Sequence, residues 1–520
     1  MNPSRPAAPR ISAALLALAL ATPAVVPALA DSPREDRRGI ALLQDASDDD
    51  SDDADDADSC EVSEDEVTSA PFCAGEVIVR LARGATVDDL SGKWDAVGID
   101  SIQATNTHLI TVPADRIDQE REFIQDLASD NDVAWAELNF VGNAPQGNPS
   151  RFFPRGRDAG FDPEPATAAD VAGGYGAGRI GANRLRCVNG KGVTVAVIDT
   201  GIDAAHPSLA GKITKPWNAF TGASGPAAVR DVGNGTDDDP GADFDENGNP
   251  VILIDEAVGH GTHVAGIVLR AAPRATVMPV KALDSDGAGQ AFYLASAIAY
   301  ATSAGADVIN LSLGSEGDSR AVREAVAAAV KRKVVVVAAA GNAGTDAVPE
   351  YPAALPGVIA VGATDAADAP AAFSSRYGAV DVSAPGVDIA SAFPAGAQGL
   401  ATPYATWSGT SMAAPWVSAA AALMLDQQPR LAPAKIARKL AASADPITPS
   451  ATGMGKGRLD VGDAISCKKG KKGKKGKAAK SGPITNKTPA PAAKPPKPAD
   501  PCGCKGDFNC ILACTAKRGK

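Results

Sequence analysis

Short apolar runs alternate with helix-forming segments through much of this 520-residue chain. Runs such as Val193–Ile198 and Val334–Ala340 are almost wholly apolar and only as long as strands, which is typical of strands buried on both faces. Because helix-like segments separate them, the sequence predicts an α/β fold: a parallel sheet with helices on both faces, joined by right-handed crossovers. The predicted strands are 193–199, 277–281, 307–313, 334–340 and 358–362, and the predicted helices follow His260, cover 291–303 and 321–331, follow Ser411 and begin at Pro433.

Two polar residues stand at the ends of predicted strands. Asp199 ends the strand that begins at Val193, and Asn342 comes two residues after Ala340. In open parallel sheets the carboxyl ends of the strands lie at one edge, where such folds bind their ligands. We therefore expect both side chains at the ligand-binding edge of the sheet.

A serine stands at the start of another helix-like segment. Ser411 lies in Gly409–Pro415, a run of small residues ahead of the apolar stretch 416–425. Serine is also a common helix N-cap, so this position alone does not define a nucleophile. A nucleophilic serine needs an imidazole to take its proton and a carboxylate to orient that imidazole. His260, which opens a helical segment, and Asp199 are the candidates for these roles.

Three motifs carry a family resemblance, and they are Asp199–Gly201, His260–Gly266 and Gly409–Pro415. With these motifs in the order Asp, His, Ser, the sequence resembles the subtilisin-like serine proteases from about residue 180 to about residue 465. The resemblance implies that Asp199 orients His260, that His260 acts as general base and acid, and that Ser411 is the nucleophile of an acyl-enzyme mechanism. It also implies a subtilisin-like parallel sheet preceded by a small α+β propeptide domain.

The resemblance extends to substrate recognition. Asn342 matches the family asparagine that donates its side-chain amide to the oxyanion. Ser312, Leu313 and Gly314 match the segment that pairs with the substrate backbone and walls the pocket for the residue before the scissile bond. Glu350 matches the position at the base of that pocket. A carboxylate there favours Arg or Lys in the substrate, and the alternative is that Glu350 turns outward to water.

The chain before the catalytic region changes composition several times. Residues 1–30 have the basic residues, apolar run and small residues of a secretory signal peptide. Residues 31–72 are strongly acidic and are predicted to be a disordered linker rather than a calcium-binding segment. Residues 144–175 are a linker rich in Gly, Pro and Asn, where maturation cleavage is expected. Residues 176–466 are the predicted catalytic domain.

Residues 73–143 are predicted to form a compact α+β unit. This unit resembles the inhibitory propeptide that precedes many subtilisin-like catalytic domains, and the alternative is an unrelated small domain. His108 falls in a predicted strand and is interpreted as structural. The predicted strands are 76–81, 108–112 and 133–140, and the predicted helices lie near 88–97 and 114–129.

The end of the chain is basic and rich in cysteine. Residues 467–500 form a Lys- and Pro-rich tether, interpreted as a solvated spacer rather than a contact for an anionic surface. Residues 501–520 hold four of the eight cysteines, a pattern that favours a small disulfide knot over a zinc site in an exported chain. Cys187 and Cys467 bracket the catalytic domain and are candidates to pair.

A polar insertion separates the Asp and His motifs. Asp243, Asp245 and Asn247 alternate ahead of Gly248, as in the first half of an EF-hand calcium loop, but the glutamate at the twelfth position is missing. A structural calcium ion and an ordinary Asx-rich turn are both open here. The hydrolytic chemistry requires no cofactor.

Together these features predict a secreted, propeptide-controlled serine endopeptidase. Its partners would be protein or peptide substrates and its own propeptide, with no specific nucleic acid, no transmembrane segment and a monomeric state. The site of action would be extracellular or at the cell envelope. Two alternatives remain: a surface-attached maturation protease with a narrow substrate range, and a non-catalytic binding protein built on a protease scaffold.

Overall fold

The structure is a computed structural model that describes most of the chain between the acidic segment and the lysine-rich tether. The described residues are 70–143, 163–233, 255–344, 348–465 and 467, together with the backbone of 62–64, 243–244 and 250–251. The predicted signal peptide, most of the predicted acidic linker, the predicted tether after Cys467 and the cysteine-rich tail lie outside the described residues. All described residues belong to one compact unit that starts at Asp53.

The first part of the described chain is an antiparallel sheet with two helices. Its strand order is β12-β5-β2-β4-β3, with β1 paired to β2, and the strand β12 (Ala288–Gln290) comes from the catalytic region. The other elements are β1 (Val62–Glu64), β2 (Pro71–Leu81), α1 (Val87–Trp94), β3 (Gly98–Ile102), β4 (Thr107–Thr111), α2 (Glu120–Ala128) and β5 (Val133–Asn143).

The two faces of this sheet bury different partners. Val77 and Val79 of β2 pack in one core cluster with Leu90 of α1 and Phe123 of α2. Ile78, between them, points the other way and joins the core cluster of the catalytic region. This alternation follows from the two-residue period of a strand. The unit therefore has its own core and a second apolar face against the catalytic region.

The second helix of this unit is shorter than its sequence pattern predicts. The helix expected over 114–129 begins only at Glu120. Asp118 has φ 71, a left-handed conformation that cannot continue a helix. The preceding residues form turns instead.

The catalytic region is built on a seven-stranded sheet of parallel strands in the order β16-β15-β14-β13-β7-β11-β8, as the alternation of segments predicts. Its strands are β7 (Thr194–Asp199), β8 (Trp217–Asn218), β11 (Thr276–Lys281), β13 (Val308–Leu311), β14 (Val335–Ala339), β15 (Val358–Thr364) and β16 (Val380–Pro385).

Helices cover both faces of this sheet. On one face, Val195 and Val197 of β7 pack in a cluster with the two most buried helices, α5 (His260–Ala271) and α8 (Thr410–Gln427). On the other face, Ala196 and Ile198 pack with α6 (Ala291–Ala304) and α7 (Arg320–Lys331). A doubly covered parallel sheet is the expected arrangement when strands read as continuous apolar runs.

Shorter elements complete the region. A small sheet has the order β17-β18-β6, so residues of the predicted linker 144–175 pair with the catalytic region. The bounds are β6 (Glu164–Pro165), α3 (Ala168–Gly173), α4 (Tyr175–Arg179), β9 (Asp243–Phe244), β10 (Pro250–Val251), β17 (Ile389–Ala392), β18 (Tyr404–Trp407), α9 (Pro433–Ala442) and α10 (Val461–Ala464).

A disulfide closes the catalytic region. Cys187, before β7, is bonded to Cys467, after α10, across a sequence separation of 280 residues. The pairing proposed from the positions of these cysteines is thus present. A crosslink over so long a loop removes much of the entropy of the unfolded chain. Among the described residues, no helix combines the length and apolar character needed to cross a membrane.

Replacing both cysteines with serine (Cys187→Ser, Cys467→Ser) is expected to lower the free energy of unfolding by on the order of 4 kcal/mol. The measurement is urea unfolding in a Ser411→Ala background, so that self-digestion does not interfere. Reductant applied to the cysteine variant is the control for any effect of the remaining six cysteines. An unchanged unfolding midpoint would show that the crosslink does not stabilise the domain.

Candidate active site

The four principal candidates lie at or just beyond the carboxyl edge of the parallel sheet. Asp199 is the last residue of β7, and Asn342 follows β14 by three residues. His260 is the first residue of α5, and Ser411 is the second residue of α8. All four are 0% exposed. The edge predicted to carry the site therefore gathers these residues.

Asp199 and His260 form a direct pair. Nδ1 of His260 lies 2.6 Å from Oδ1 of Asp199, and both side chains are buried. The amide of Thr200 donates to the same oxygen at 2.9 Å. The ring of Trp407 meets the imidazole edge to face at 5.5 Å. These contacts fix the ring with Nδ1 toward the carboxylate and Nε2 on the opposite side.

The turn before α5 depends on a glycine. Gly259 has φ +96, and a Cβ at this position would overlap the ring of Phe393. Only glycine combines this left-handed backbone with so close an approach. The turn places His260 in the first helical position, directly beyond the end of β7.

Ser411 is tied to the strand beside Asp199. Its Oγ donates to the carbonyl of Ser312 at 3.2 Å, and Oγ of Ser312 donates to the carbonyl of Ser411 at 2.9 Å. Ser312 directly follows β13, whose last residue, Leu311, pairs with Ile198 on β7. Ser312 therefore lies beside Asp199, one strand spacing of about 4.8 Å away. This contact brings Ser411 to the part of the edge that holds the Asp199–His260 pair.

Asn342 is held by its oxygen and presents its nitrogen. Oδ1 accepts from the backbone amide of Thr410 at 3.0 Å and from its Oγ1 at 2.9 Å. Because the Thr410 amide can only donate, the side-chain oxygen must face it. Within the described structure, Nδ2 of Asn342 is buried and has no hydrogen-bond partner. A buried unpaired donor costs about 1–3 kcal/mol, which suits a group that binds an anion formed during a reaction.

Glu350 lies beneath the predicted recognition segment. The backbones of Ser315 and Tyr351 exchange two hydrogen bonds of 2.8 Å in an antiparallel bridge, which brings Glu350 beside the end of the recognition segment. A side chain at Gly314 or Gly341 would overlap the Glu350 carboxylate. Glu350 is 2% exposed, so the alternative of an outward-facing side chain does not hold.

The environment of Glu350 favours its neutral form. Burial raises the pKa of Glu350 to about 8, and the charge of Glu316 adds to this shift. The hydroxyl of Ser375, 3.5 Å away, opposes the shift only weakly. A cation bound beside this carboxylate would replace the lost solvation.

The other histidines of the catalytic region have structural contacts. Nε2 of His206 donates to the carbonyl of Pro403 at 2.7 Å, and Nε2 of His263 donates to that of Ala405 at 3.1 Å. Burial, reinforced by nearby His260, lowers the pKa of His263 to about 3. This imidazole therefore stays neutral across the working range of pH, as a structural group should.

The calcium loop stays a prediction. Asp243 lies on β9, but Asp245 and Asn247 lie outside the described residues. In the part of the chain that the structure does describe, no group of three or more His, Cys, Asp or Glu side chains is placed to hold a metal ion.

Two residues of the site have no strong sequence signal. Thr410 orients the side chain of Asn342. In the sequence, only its neighbour Ser411 marks this segment as functional. Asp231 begins the polar insertion, 29 residues before His260, and its buried carboxylate accepts hydrogen bonds from the first turn of α5. A carboxylate so far from either motif in sequence could be found only by knowing how the insertion folds back.

Comparison with known proteins agrees with this geometry. Residues 190–469 match the profile of the subtilase family of peptidases. Thermitase of Thermoactinomyces vulgaris is 36% identical over 286 residues, which cover 53% of this chain and 89% of thermitase. The thermophilic serine proteinase of Bacillus sp. strain AK1 is 31% identical over 435 residues, which cover 82% of this chain and 95% of the proteinase.

A solved structure shares the fold. The crystal structure of fervidolysin from Fervidobacterium pennivorans, a keratinolytic enzyme related to subtilisin, matches with a TM-score of 0.59 at 24% identity. The match covers 76% of this chain and 61% of fervidolysin. The family profile and the curated relatives together establish that this chain belongs to the subtilase family and is a subtilisin-like serine endopeptidase.

Proposed function

We propose that this endopeptidase is exported as a self-processed zymogen and cleaves peptide bonds with Asp199, His260 and Ser411. The proposal rests on the positions of Asp199, His260 and Ser411 at one edge of the parallel sheet. The Asp199–His260 hydrogen bond of 2.6 Å lies beside Ser312, the residue to which Ser411 is hydrogen-bonded.

The proposed reaction uses each of these groups once in each half-cycle. Ser411 Oγ attacks the substrate carbonyl while Nε2 of His260 takes its proton, and Asp199 stabilises the resulting imidazolium. The imidazolium then gives this proton to the leaving amine, which leaves an acyl-enzyme on Ser411. Water, activated by the same imidazole, releases the acid product.

Two donors are placed for the oxyanion of the tetrahedral intermediate. Nδ2 of Asn342 is fixed in direction because Thr410 holds its oxygen. The backbone amide of Ser411 lies in the first turn of α8, where the helix dipole favours negative charge. Donors that are oriented before the reaction need no reorganisation when the charge forms.

We further propose that the unit 73–143 inhibits the enzyme until it is removed. Its last strand, β5, pairs antiparallel with β12, with Gly142 opposite Gly289. The side-chain Oγ of Ser315 also donates to the carbonyl of Val141 at 3.0 Å. An extended segment that pairs with a backbone edge is a mode in which proteins bind peptides.

Polar side chains earlier in the same strand support the same role. Glu137 of β5 accepts hydrogen bonds from Oγ of Ser319 at 2.8 Å and from the amides of Arg320 at 2.6 Å and Ala321 at 2.9 Å. A residue of the amino-terminal unit 73–143 therefore caps α7 of the catalytic region. Nearby, Nε1 of Trp135 donates to Glu324 at 3.1 Å. These contacts would hold the unit in place after its peptide bond is cut, and would make its release a separate step.

The buried Glu350 supports a preference for Arg or Lys before the scissile bond. Its carboxylate is enclosed by Gly314 and Gly341, at the base of the pocket that the family resemblance assigns. An arginine or lysine side chain reaching this base would form a charge-assisted hydrogen bond in a site shielded from water.

The remaining features complete the proposal. Protein and peptide substrates are the partners of a monomeric enzyme that acts outside the cell or at its envelope. The calcium ion at Asp243, Asp245 and Asn247 would be structural, since the chemistry of the family requires no cofactor. A maturation protease with one partner is the alternative, and broad cleavage of a casein-like protein would disfavour it.

Expression of the whole chain beside Ser411→Ala tests the proposed nucleophile. The unaltered chain is expected to convert itself to a shorter form, and the variant is expected to stay at full length, because it has no hydroxyl to acylate. Intact-mass measurement follows the conversion. Ser418→Ala is the matched control, since Ser418 is buried on the same helix but bonds to Asn310. Equal processing of both variants would refute the role of Ser411.

Replacement of Asn342 by leucine tests the oxyanion donor. We expect kcat to fall by about 10²–10³-fold with little change in KM, because the lost hydrogen bond forms only in the transition state. Asn218→Leu is the control, since Asn218 is buried at the far edge of the sheet and should affect stability alone. A proportional rise in KM instead would indicate a role in ground-state binding.

The pH dependence of side-chain preference tests Glu350. The pKa of about 8 means that the carboxyl is neutral below that pH and charged above it. The ratio of kcat/KM for a peptide with Arg before the scissile bond to that for its Phe counterpart should therefore rise, by about tenfold, between pH 7 and pH 9. In Glu350→Gln the ratio should be low and independent of pH. Faster cleavage after Phe or Leu at every pH would contradict the proposal.

A further inference from the structure

Asp231 lies buried between the Asp199 turn and the first turn of α5. It is 2% exposed, and both of its oxygens are in contact with those two elements. Oδ1 accepts from Oγ1 of Thr200 at 3.0 Å and from the amide of Gly259 at 2.9 Å. Oδ2 accepts from the amide of Thr262 at 3.0 Å and from its Oγ1 at 2.5 Å.

The directions of these hydrogen bonds require a charged carboxylate. Oγ1 of Thr200 accepts from the amide of Gly261 at 3.1 Å, and Oγ1 of Thr262 accepts from the amide of Asp203 at 2.9 Å. Each hydroxyl therefore has its proton available for Asp231, and the other two partners are amides that can only donate. The pKa of Asp231 is raised, because burial outweighs these hydrogen bonds and the charge of nearby Lys281 of β11, which lower it. Four donors on one carboxylate favour the ionised form.

Asp231 also caps α5 from outside the helix. The N-cap residue, Gly259, has no side chain to accept from the first turn. The amides at the start of a helix lack partners within it, and they favour a negative charge. Asp231 accepts from two of the amides around this start, those of Gly259 and Thr262.

These hydrogen bonds hold the residues on both sides of His260. Thr200 donates its amide to Asp199 and its hydroxyl to Asp231, so it connects the two carboxylates. Gly259 and Thr262, on either side of His260 in sequence, are bound to Asp231. The turn that carries Asp199 and the helix that carries His260 are thus joined through one side chain.

We propose that Asp231 is a positioning residue that sets the distance and angle between Asp199 and His260. This inference rests on the proposed catalytic roles of those two residues. Without the carboxylate, the start of α5 and the Asp199 turn would no longer share an anchor. An amide cannot replace it, because its NH₂ group would face donors where Asp231 presents an acceptor.

The test compares Asp231→Asn with Asp381→Asn. Asp381 of β16, at the edge of the sheet, is a partly buried carboxylate that accepts from the amide of Ala360 on the neighbouring strand β15, so its replacement reports the general cost of losing such a group. We expect Asp231→Asn to lower kcat by about 10²-fold with little change in KM, because small misplacements of reacting groups have effects of this size. Asp381→Asn should leave kcat unchanged.

A second pair of variants covers the case in which Asp231→Asn does not fold. Thr262→Val removes one donor to Asp231, and Thr262→Ser keeps the hydroxyl. The valine variant should lose kcat at constant KM, and the serine variant should retain it. Equal kcat for the two, or a kcat for folded Asp231→Asn within threefold of the unaltered enzyme, would overturn the proposal.

A spectroscopic measurement separates this proposal from the proposed function. The proton shared by Asp199 and His260 should give a downfield proton NMR signal, which can be recorded in the Ser411→Ala chain without any turnover. We expect the signal to shift or disappear in Asp231→Asn and to persist in Asp381→Asn. If the unaltered chain had no activity, the proposed function would fail, and this signal would still decide the role of Asp231. An unchanged signal in Asp231→Asn would refute it.

Discussion

The parallel direction of the seven central strands is the constraint on which the site depends. Because every strand runs the same way, the carboxyl ends of β7, β13 and β14 lie at one edge, and the residues that follow them are neighbours. Asp199, Ser312 and Asn342 occupy these three positions. Two helices begin at the same edge, with His260 as the first residue of α5 and Ser411 as the second residue of α8. The site is thus assembled from chain segments that share almost no local sequence.

At this buried edge, hydrogen bonds orient a polar side chain while leaving one of its atoms able to bind another group. Asn342 shows the principle, since Thr410 binds its oxygen and its nitrogen stays unpaired within the described structure. A fully paired asparagine would be more stable but could not stabilise a new negative charge. Glu350 carries a related cost, because burial keeps its carboxyl neutral until a charge or a higher pH favours ionisation. In both cases the burial of an incompletely paired polar group costs free energy of folding.

The amino-terminal unit combines two kinds of contact with the catalytic region. Its apolar face, including Ile78 and Trp135, shares a core cluster with α6 and α7. Its last strand lies between β12 and Ser315, in the place where a substrate backbone would pair. The apolar contact removes large side chains from water, which favours the association of the two parts. The two kinds of contact are the basis of the proposal that this unit covers the substrate-binding edge.

The sequence by itself determined the alternation that requires a parallel sheet, the three motifs, and the placement of Asp199 and Asn342 at strand ends. These features are local, since each depends on the period and composition of a short segment. It could not determine that Asp231 folds back onto the start of α5, that Glu350 turns inward, or that Glu137 caps α7. Only the tertiary structure decided these contacts, because each joins residues distant in the chain, and packing rather than local preference selects the partner.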